Sequence, residues 1–508
     1  MTAPFHNRVR ELASLHEALA STRAELVIVY GRRGVGKSAL LRRALQAHGL
    51  PFLYYRATRR TPPLQMAELT QATRAAFPHA FLPQPFATFG TFLEFLTYQA
   101  AQSEAAGQAD PVAVVIDELP YLADADPGLL TVLQHWWDDN KRRPNLKIFL
   151  AGSYVAFMER QVLDANAPLY NRRTGAMKLE PLDYAEAGLF FPGYAPEQRM
   201  EAYAVLGGMP SYLEQFDPAA SVGENVRRTV LRQNTYLAQE PDWLLLEDLR
   251  RDAVYGSILR AVAGGERKPS DIARAIGKDS AQDVAQQLST LQGMDLLVRE
   301  VPVTERRQAR TRNSLYFLAD NYLDFWFRFA DPARSLVAQG LGDEVWARAI
   351  APGLGEYVSR PAFERACRQY LWRALRAGAL PADLPLHEVG TWWGPGGRGS
   401  DKKSRDGKSR DGKKNDEREI DVIGLDAGGA VVLGGSCKWT ASPMDVREYA
   451  ALQQDLARTG LAREDPAGAD QWLVLFSRSG FTPRLREIAA AQEPARLLLV
   501  DLEAMYAV

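Results

Sequence analysis

The sequence has few cysteines, no long apolar segment and no excess of charge of either sign. With only Cys367 and Cys437 among 508 residues, a disulfide-based fold is excluded, and we expect a reduced, cytoplasmic protein. No apolar run approaches the ~20 residues that a membrane-spanning helix needs, so no membrane association is expected. The start of the sequence lacks a basic segment followed by an apolar one, which disfavours a secretory signal.

The charge balance and the length set two further limits. Lysine and arginine total 61 against 62 aspartates and glutamates, which gives a formal net charge of −1. No overall field therefore attracts the chain to nucleic acid, and such binding would need local basic patches. At about one domain per 100–200 residues, the length predicts about three domains.

A glycine-rich segment between a strand-like run and a helix-like run is the most specific motif. The apolar run from Leu26 to Tyr30 predicts a strand, and the eight residues after it have the spacing of a phosphate-binding loop. In such a loop, backbone N–H groups surround phosphate oxygens, Lys37 reaches the β- and γ-phosphates, and the Ser38 hydroxyl ligates Mg²⁺. We therefore expect ATP and Mg²⁺ as cofactors. The predicted nucleotide-binding residues of this segment are Gly31, Arg32, Arg33, Gly34, Val35, Gly36, Lys37, Ser38 and Ala39.

A second strand-like run ends in two carboxylates with different expected roles. Val112–Ile116 is continuously apolar, as a buried strand of a parallel sheet would be, and Asp117 and Glu118 follow it. Asp117 would bind the nucleotide's Mg²⁺, directly or through water, and Glu118 would polarise the water that attacks the γ-phosphate. The distance from the phosphate-binding loop leaves room for intervening strands and helices, so we expect hydrolysis as well as binding.

Three further side chains are candidates for catalysis, each with an open alternative. The run Lys147–Gly152 predicts another central strand, and Ser153 after it could act as a polar sensor beside the γ-phosphate. Capping of the next helix by Ser153 has comparable support. Arg172 or Arg173 could stabilise transition-state charge in cis or across a subunit contact, although solvated surface arginines are commoner.

These motifs, together with two other segments, resemble AAA-like P-loop ATPases found predominantly in Archaea and also in bacteria. The resemblance covers roughly the first half of the chain. In that family a Gly-Gly-x-Pro segment belongs to a small helical lid over the nucleotide, so the resemblance implies a lid role for Gly207–Leu213. A turn between two helices is the simpler reading of those residues, and both can hold together. The amino-terminal residues that contribute to the resemblance are Phe5, Asn7, Arg8, Glu11 and Leu12.

The middle of the chain resembles a winged helix. From about Tyr255 to Val303, apolar residues at helical spacing predict three short helices, and the strand-like Leu296–Arg299 follows them. The segment Ala281–Gln287, where a DNA-reading helix is expected, has no lysine or arginine, which disfavours sequence-specific reading. Arginines in the wing-like segment could contact phosphates, or could pack within the chain. They are Arg306, Arg307, Arg310 and Arg312.

The carboxyl-terminal part resembles the domain that often accompanies these ATPases and looks like a PD-(D/E)xK nuclease. The aromatic-rich segment Tyr316–Phe329 belongs to it, and a buried core is favoured there over stacking on bases. That fold needs carboxylates for Mg²⁺ and a lysine that assists the attacking water. Glu364, Asp421 and Lys438 match these needs, with Asp421 as the predicted metal ligand.

One position of the nuclease pattern is missing. Two residues before the lysine, the family has an acidic residue, and this chain has Ser436, a poor Mg²⁺ ligand. We therefore expect a degenerate nuclease-like domain, although Glu419 or Glu364 could complete an active site. A Gly-rich, charged segment near 394–418 predicts a disordered insert in this domain.

The sequence thus predicts an α/β fold made of four parts. These are a P-loop parallel sheet at 1–180, a helical lid at 181–250, a winged helix at 251–315 and a restriction-endonuclease-like α/β domain at 316–508. The leading hypothesis is an ATPase whose nucleotide state acts on the later domains, with DNA as the expected partner. The alternatives are an ATP-dependent switch that binds a protein partner or another copy of itself, and an active ATP-controlled nuclease.

Overall fold

The computed structural model describes most of the chain and divides it into two compact units. The described residues are 5–49, 52–82, 84–105, 111–247, 253–306, 311, 313–395, 417–462, 471–491 and 496–508. Arg307, Arg310, Arg312 and residues 396–416 of the predicted insert lie outside them. The first unit comprises Met1–Pro181 with the short segments Met209–Ser211 and Gly293–Asp295, and the second comprises the remainder.

The first unit is built on a parallel sheet whose strands alternate with helices. Its elements are α1 (Val9–Ala20), β1 (Glu25–Tyr30), α2 (Lys37–His48), β2 (Phe52–Arg56), α3 (Pro62–Ala76), α4 (Phe89–Ala105), β3 (Val112–Asp117), α5 (Leu119–Ala125), α6 (Leu129–Asn140), β4 (Leu146–Gly152), α7 (Val155–Phe157) with a π-helical turn at Met158–Leu163, and β5 (Gly175–Lys178). The strand order is β2-β3-β4-β1-β5, with every neighbouring pair parallel. The α/β fold predicted for this part of the chain is confirmed.

The buried strands follow directly from the apolar runs in the sequence. All residues of β3 and β4 are buried, as are all but the last residue of β1. Strands covered by helices on both faces need apolar side chains at consecutive positions rather than alternate ones. All three strands that the sequence predicts for the first unit therefore form, each within one residue of its expected bounds.

The second unit begins with helices. They are α8 (Tyr184–Gly188), α9 (Pro196–Leu206), α10 (Pro210–Leu213), α11 (Val222–Thr229), α12 (Tyr236–Glu247), α13 (Ala253–Ala263), α14 (Pro269–Ala275) and α15 (Ala285–Gly293), with a 3₁₀ turn at Ala281–Val284. The first two residues of α10 and the last residue of α15 belong to the first unit. Two antiparallel strands follow, β6 (Leu297–Glu300) and β7 (Leu315–Leu318), separated by a 3₁₀ turn at Val303–Glu305. Three helices and a strand pair are the elements that a winged helix requires, and that assignment stays a prediction.

The rest of the second unit places a mixed sheet after a run of short helices. The helices are α16 (Asn321–Phe325), α17 (Arg334–Ala338), α18 (Gly342–Val345), α19 (Leu354–Tyr357) and α20 (Glu364–Arg376), with π-helical turns at Trp326–Ala330, Trp346–Ile350 and Val358–Phe363 and a 3₁₀ turn at Ala351–Gly353. The remaining elements are β8 (Glu388–Pro395), β9 (Glu417–Leu425), β10 (Val431–Lys438), α21 (Val446–Thr459), β11 (Trp472–Ser477), α22 (Pro483–Ala491), β12 (Leu497–Asp501) and α23 (Leu502–Ala507).

This second sheet has the order β12-β11-β10-β9-β8. The pairs β8–β9 and β9–β10 are antiparallel, and the pairs β10–β11 and β11–β12 are parallel. Asp421, the predicted metal ligand, lies inside β9. The aromatic segment after β7 is buried, with Tyr322 and Phe325 both at 0% exposure, as the core alternative predicts.

Two adjacent glycines in the second unit are required by the backbone itself. Gly207 ends α9 at φ 66° and ψ −152°, a conformation that residues with a Cβ rarely adopt. A Cβ at Gly208 would lie 1.8 Å from the carbonyl oxygen of Leu182, whose own N–H donates to the Gly208 carbonyl at 2.8 Å. Their role in a tight turn is therefore clear, while the lid role stays a prediction.

We predict that Gly208→Ala destabilises the protein by about 1–3 kcal/mol, because the added methyl group must displace a hydrogen-bonded backbone segment. Urea unfolding followed by circular dichroism would measure the loss. Gly193→Ala is the matched control, because a Cβ there meets no atom within 4 Å. Equal unfolding midpoints for the two variants would contradict the prediction.

Candidate functional site

The candidate nucleotide site lies at the carboxyl ends of β1, β3 and β4. Because these strands are parallel neighbours, the residues that follow them meet at one edge of the sheet. The glycine-rich loop follows β1, Asp117 ends β3, Glu118 comes next, and Ser153 follows β4. The fold thus gathers four of the predicted features in the first unit.

The glycine-rich loop needs its glycines for conformation and for close approach. Gly31, Gly34 and Gly36 have φ values of 146°, 84° and 99°, which side chains with a Cβ disfavour. A Cβ at Gly31 would lie 2.4 Å from the Leu179 carbonyl oxygen, and one at Gly34 would lie 2.3 Å from the Ser211 hydroxyl. Val35 is fully buried and fixes the loop to the core, while Arg33 is exposed and Arg32 is buried.

Lys37 is buried at the start of α2 and turns back onto the loop. Its ammonium donates to the carbonyl oxygens of Gly31 at 2.7 Å and Arg32 at 3.1 Å. Burial lowers the pKa of Lys37 to about 8, although the charges of Glu118 and Asp117 oppose that shift. The ammonium is therefore charged at neutral pH and poorly solvated, so it would attract a phosphate group strongly.

The Asp117 carboxylate is completely buried and is held by hydrogen bonds. Its Oδ2 accepts from the Ser38 hydroxyl at 2.7 Å and from the Tyr54 hydroxyl at 2.5 Å. Its Oδ1 accepts from the backbone N–H of Glu118 at 3.0 Å. Ser38 and Asp117, the two predicted Mg²⁺ ligands, are thus in direct contact across 79 residues of sequence.

Glu118 has the backbone conformation and the partner expected of a functional residue. Its φ of 58° and ψ of 46° are left-handed, which costs a residue with a side chain roughly 1–2 kcal/mol. Its Oε2 accepts from the hydroxyl of Ser153 at 2.6 Å and from the Ser153 backbone N–H at 3.2 Å. Ser153 therefore orients Glu118, and it does not cap α7, whose preceding residue is Tyr154.

The two arginines contact other residues. Arg172 forms an ion pair with Asp138 at 2.7 Å, and this hydrogen bond lowers the pKa of the Asp138 carboxyl. Arg173 donates to the Tyr170 carbonyl at 2.7 Å and lies over the Tyr170 ring. The structure thus places both side chains in local contacts outside the cluster around Asp117, and a catalytic role for either stays a prediction.

The residues present fit a nucleotide and its magnesium ion. A Cβ at Gly36 would meet only Pro210, at 3.8 Å, so the loop leaves space on that side. The hydroxyl of Ser38 and the carboxylate of Asp117 are hard oxygen donors, which Mg²⁺ prefers. Lys37 supplies the positive charge that the phosphates need, and Ala39 lies in the first turn of α2.

Two residues with contacts to this site were not given roles by the sequence. Arg8 is buried and donates to the carbonyl oxygens of Val35 at 3.1 Å and Glu180 at 2.8 Å, so it anchors the loop from the side of α1. The one sequence feature that pointed to Arg8 was its place among the amino-terminal residues that contribute to the family resemblance. Tyr54 lies in a strand that gave no motif, and only strand pairing brings it to Asp117.

A second cluster of charged residues lies in the second unit around Arg360. One guanidinium contacts three carboxylates: Glu364 at 2.8 Å, Glu419 at 2.9 Å and Asp421 at 3.6 Å. The cluster borders a cavity of about 350 Å³ that Trp393 also lines. Arg360 therefore compensates the negative charge that a metal ion would balance in an active nuclease.

The predicted metal ligand of this cluster is already engaged. Oδ2 of Asp421 accepts from the Cys437 backbone N–H at 2.7 Å and from the Ser436 hydroxyl at 3.2 Å. Burial and the charge of Asp421 raise the pKa of Glu364 well above its usual value. Within the described ranges, no group of three or more His, Cys, Asp or Glu side chains has the arrangement of a metal site. Lys438 is the last residue of β10.

Comparisons with known protein families find matches for two parts of the chain. Residues 5–216 match the family model of an ATPase domain found predominantly in Archaea. This part of the chain is therefore similar to an ATPase domain. This confirms the resemblance seen in the sequence for that part. Residues 326–450 match a family of archaeal and bacterial proteins of unknown function.

Individual relatives are more distant. An uncharacterized protein of Methanocaldococcus jannaschii is 26% identical over 389 residues, which cover 77% of this chain and 82% of that protein. The Walker-type ATPase of Pyrococcus abyssi is 24% identical, covers 64% of this chain and 96% of its own, and has a TM-score of 0.49. The ORC2 protein of Aeropyrum pernix, solved as ADPNP-ADP complexes, is 14% identical. The match covers 68% of this chain and 96% of that protein, with a TM-score of 0.39. None of the helices in the described residues is long and apolar enough to cross a membrane.

We predict that nucleotide affinity falls as the pH rises through about 8, approaching tenfold per pH unit. In the free protein Lys37 loses its proton near that pH, whereas bound phosphates favour the charged ammonium. Titration of a fluorescent ATP analogue between pH 7 and pH 9.5 would measure this fall. Lys37→Arg is the control, because its guanidinium stays charged throughout. A flat profile for the unsubstituted protein would refute the assignment.

Proposed function

We propose that this protein is an AAA-like ATPase that hydrolyses ATP and couples its nucleotide state to a winged helix and a degenerate nuclease-like domain acting on DNA. The observation that carries the proposal is a pair of neighbouring side-chain hydrogen bonds at one edge of the first sheet. Ser38 is bonded to Asp117, and Glu118 beside it is bonded to Ser153. Both pairs stand next to a complete phosphate-binding loop.

Each residue has a definite task in this proposal. The loop N–H groups and Lys37 would bind the phosphates, and Ser38 and Asp117 would hold a magnesium ion, whose positive charge would stabilise the charge that develops in phosphoryl transfer. Glu118, oriented by Ser153, accepts the proton of the attacking water. Because phosphoryl transfer depends mainly on positioning and charge, these fixed contacts are the catalytic contribution of the protein.

The proposed action on DNA is based on the winged-helix-like elements. The competing hypothesis is a switch that binds a protein partner. Arg306, in the wing-like segment, contacts Glu388 and the Val389 carbonyl, so it is engaged within the chain. That observation favours the alternative of a switch that binds a protein partner or assembles with itself. The same alternative agrees with the neutral charge balance and with the absence of lysine or arginine from residues 281–287.

We predict ATP turnover that Lys37→Ala abolishes and that Glu118→Gln lowers at least 100-fold, because the second variant lacks the general base. Glu118→Gln should still bind ATP. Lys141→Ala and Glu104→Gln are matched controls on exposed ion pairs and should keep full turnover.

The same assay separates the two partner classes. Turnover measured with and without duplex and single-stranded DNA should rise with DNA if the leading proposal holds. Turnover that is indifferent to DNA would favour the protein-partner switch instead. Turnover that survives Lys37→Ala would mean a contaminating enzyme.

We further predict no metal-dependent DNA cleavage with Mg²⁺ or Mn²⁺, in the presence or absence of ATP. The reason is that Ser436 replaces an acidic ligand and Arg360 already pairs with the remaining carboxylates. Cleavage that requires the metal and disappears in Asp421→Ala would overturn this prediction and establish the active nuclease.

A further inference from the structure

Tyr54 contacts the predicted magnesium ligand from the neighbouring strand. It lies on β2, which pairs with β3 so that Arg56 stands opposite Asp117 and Tyr54 opposite Val115. From that position its hydroxyl donates to Oδ2 of Asp117 at 2.5 Å. A hydrogen bond of that length to a carboxylate is among the strong ones.

The Asp117 carboxylate is held in one orientation by three donors from different elements. Tyr54 on β2 and Ser38 on α2 both donate to Oδ2, and the Glu118 backbone N–H donates to Oδ1. Oδ2 thus uses both of its lone pairs, and Oδ1 keeps one. Of the two side-chain donors, Ser38 is itself a predicted metal ligand, so Tyr54 is the donor left to fix Asp117.

The ring of Tyr54 is fixed as well. The guanidinium of Arg42 lies over it, 3.6 Å from the ring centroid. Arg42 follows Ser38 by four residues in α2, so the two side chains lie on one face of that helix. Helix α2 therefore positions both hydroxyl groups at Asp117, one through its own serine and one through the arginine that covers the tyrosine.

We propose that Tyr54 is a positioning residue for the nucleotide-bound magnesium ion and acts by orienting Asp117. This inference rests on the proposed ATPase function. Groups that hydrogen-bond a metal-binding carboxylate fix its direction, and their loss typically weakens metal binding 10–100-fold.

The test compares two tyrosine substitutions on the same strand. Tyr54→Phe removes the hydroxyl and keeps the ring beneath Arg42. Tyr55→Phe is the matched control, because its hydroxyl donates to the carbonyl oxygen of Gln65 instead. Mn²⁺ binding to each protein with saturating ADP is measured by electron paramagnetic resonance, and binding of a fluorescent ADP analogue is measured in EDTA.

We expect Tyr54→Phe to weaken Mn²⁺ binding 10–100-fold while changing metal-free nucleotide affinity less than twofold. Tyr55→Phe should change neither. Unaltered Mn²⁺ affinity in Tyr54→Phe would overturn the inference, and so would an equal loss of metal-free nucleotide binding, which would indicate a structural role.

The readouts also keep the two proposals apart. If the unsubstituted protein binds Mn²⁺ and ADP but does not hydrolyse ATP, the proposed function fails while the comparison of Tyr54 variants retains its meaning. If ATP is hydrolysed and Tyr54→Phe binds Mn²⁺ normally, only the inference about Tyr54 fails. An unsubstituted protein that binds no nucleotide would overturn both.

Discussion

The buried carboxylate of Asp117 needs hydrogen bonds from several elements of the first unit. A charge removed from water destabilises a fold by several kcal/mol unless hydrogen bonds replace its hydration. Asp117 accepts those hydrogen bonds from Tyr54 on β2, from Ser38 on α2 and from the backbone N–H of Glu118. The positions of β2 and α2 relative to β3 are therefore fixed by this site. Parallel pairing of buried strands provides the strand register, because slippage by one residue would reverse every side chain. The site and the sheet therefore stabilise one another.

The residue that follows this carboxylate has a strained backbone. Glu118 adopts a left-handed conformation, and its side chain is drawn to Ser153 at the end of β4. The cost of roughly 1–2 kcal/mol is offset by the bonds on either side of the turn. The same turn directs two adjacent acidic residues to different partners: Asp117 faces Ser38 at the start of α2, and Glu118 faces Ser153, which follows β4. Neighbouring carboxylates can then take separate roles in one site.

The sequence predicts those parts of the site that depend on local spacing. The glycine-rich loop, the Asp117–Glu118 pair and the three central strands follow from short motifs and apolar runs, and the structure brings them together. Tyr54 could not be predicted, because its contact depends on strand pairing across 63 residues. The carboxylates of Glu364, Glu419 and Asp421 were named from the sequence. Their pairing with Arg360 was not, since it depends on contacts between separate elements of the fold. Ser153 is an intermediate case: the motif located the residue, and the fold excluded the capping role, while the sensor role stays a prediction.

The two acidic clusters of this chain differ in the charge of the groups that hold them. The donors around Asp117 are hydroxyl groups and an N–H, which orient the carboxylate without neutralising it, so its full charge remains for a divalent cation. The carboxylates of Glu364, Glu419 and Asp421 share the guanidinium of Arg360. A cation entering there must displace an arginine that already satisfies them, and it finds the hydroxyl of Ser436 where a further carboxylate would bind it. Neutral donors thus favour metal binding at the first cluster, and an internal cation opposes it at the second.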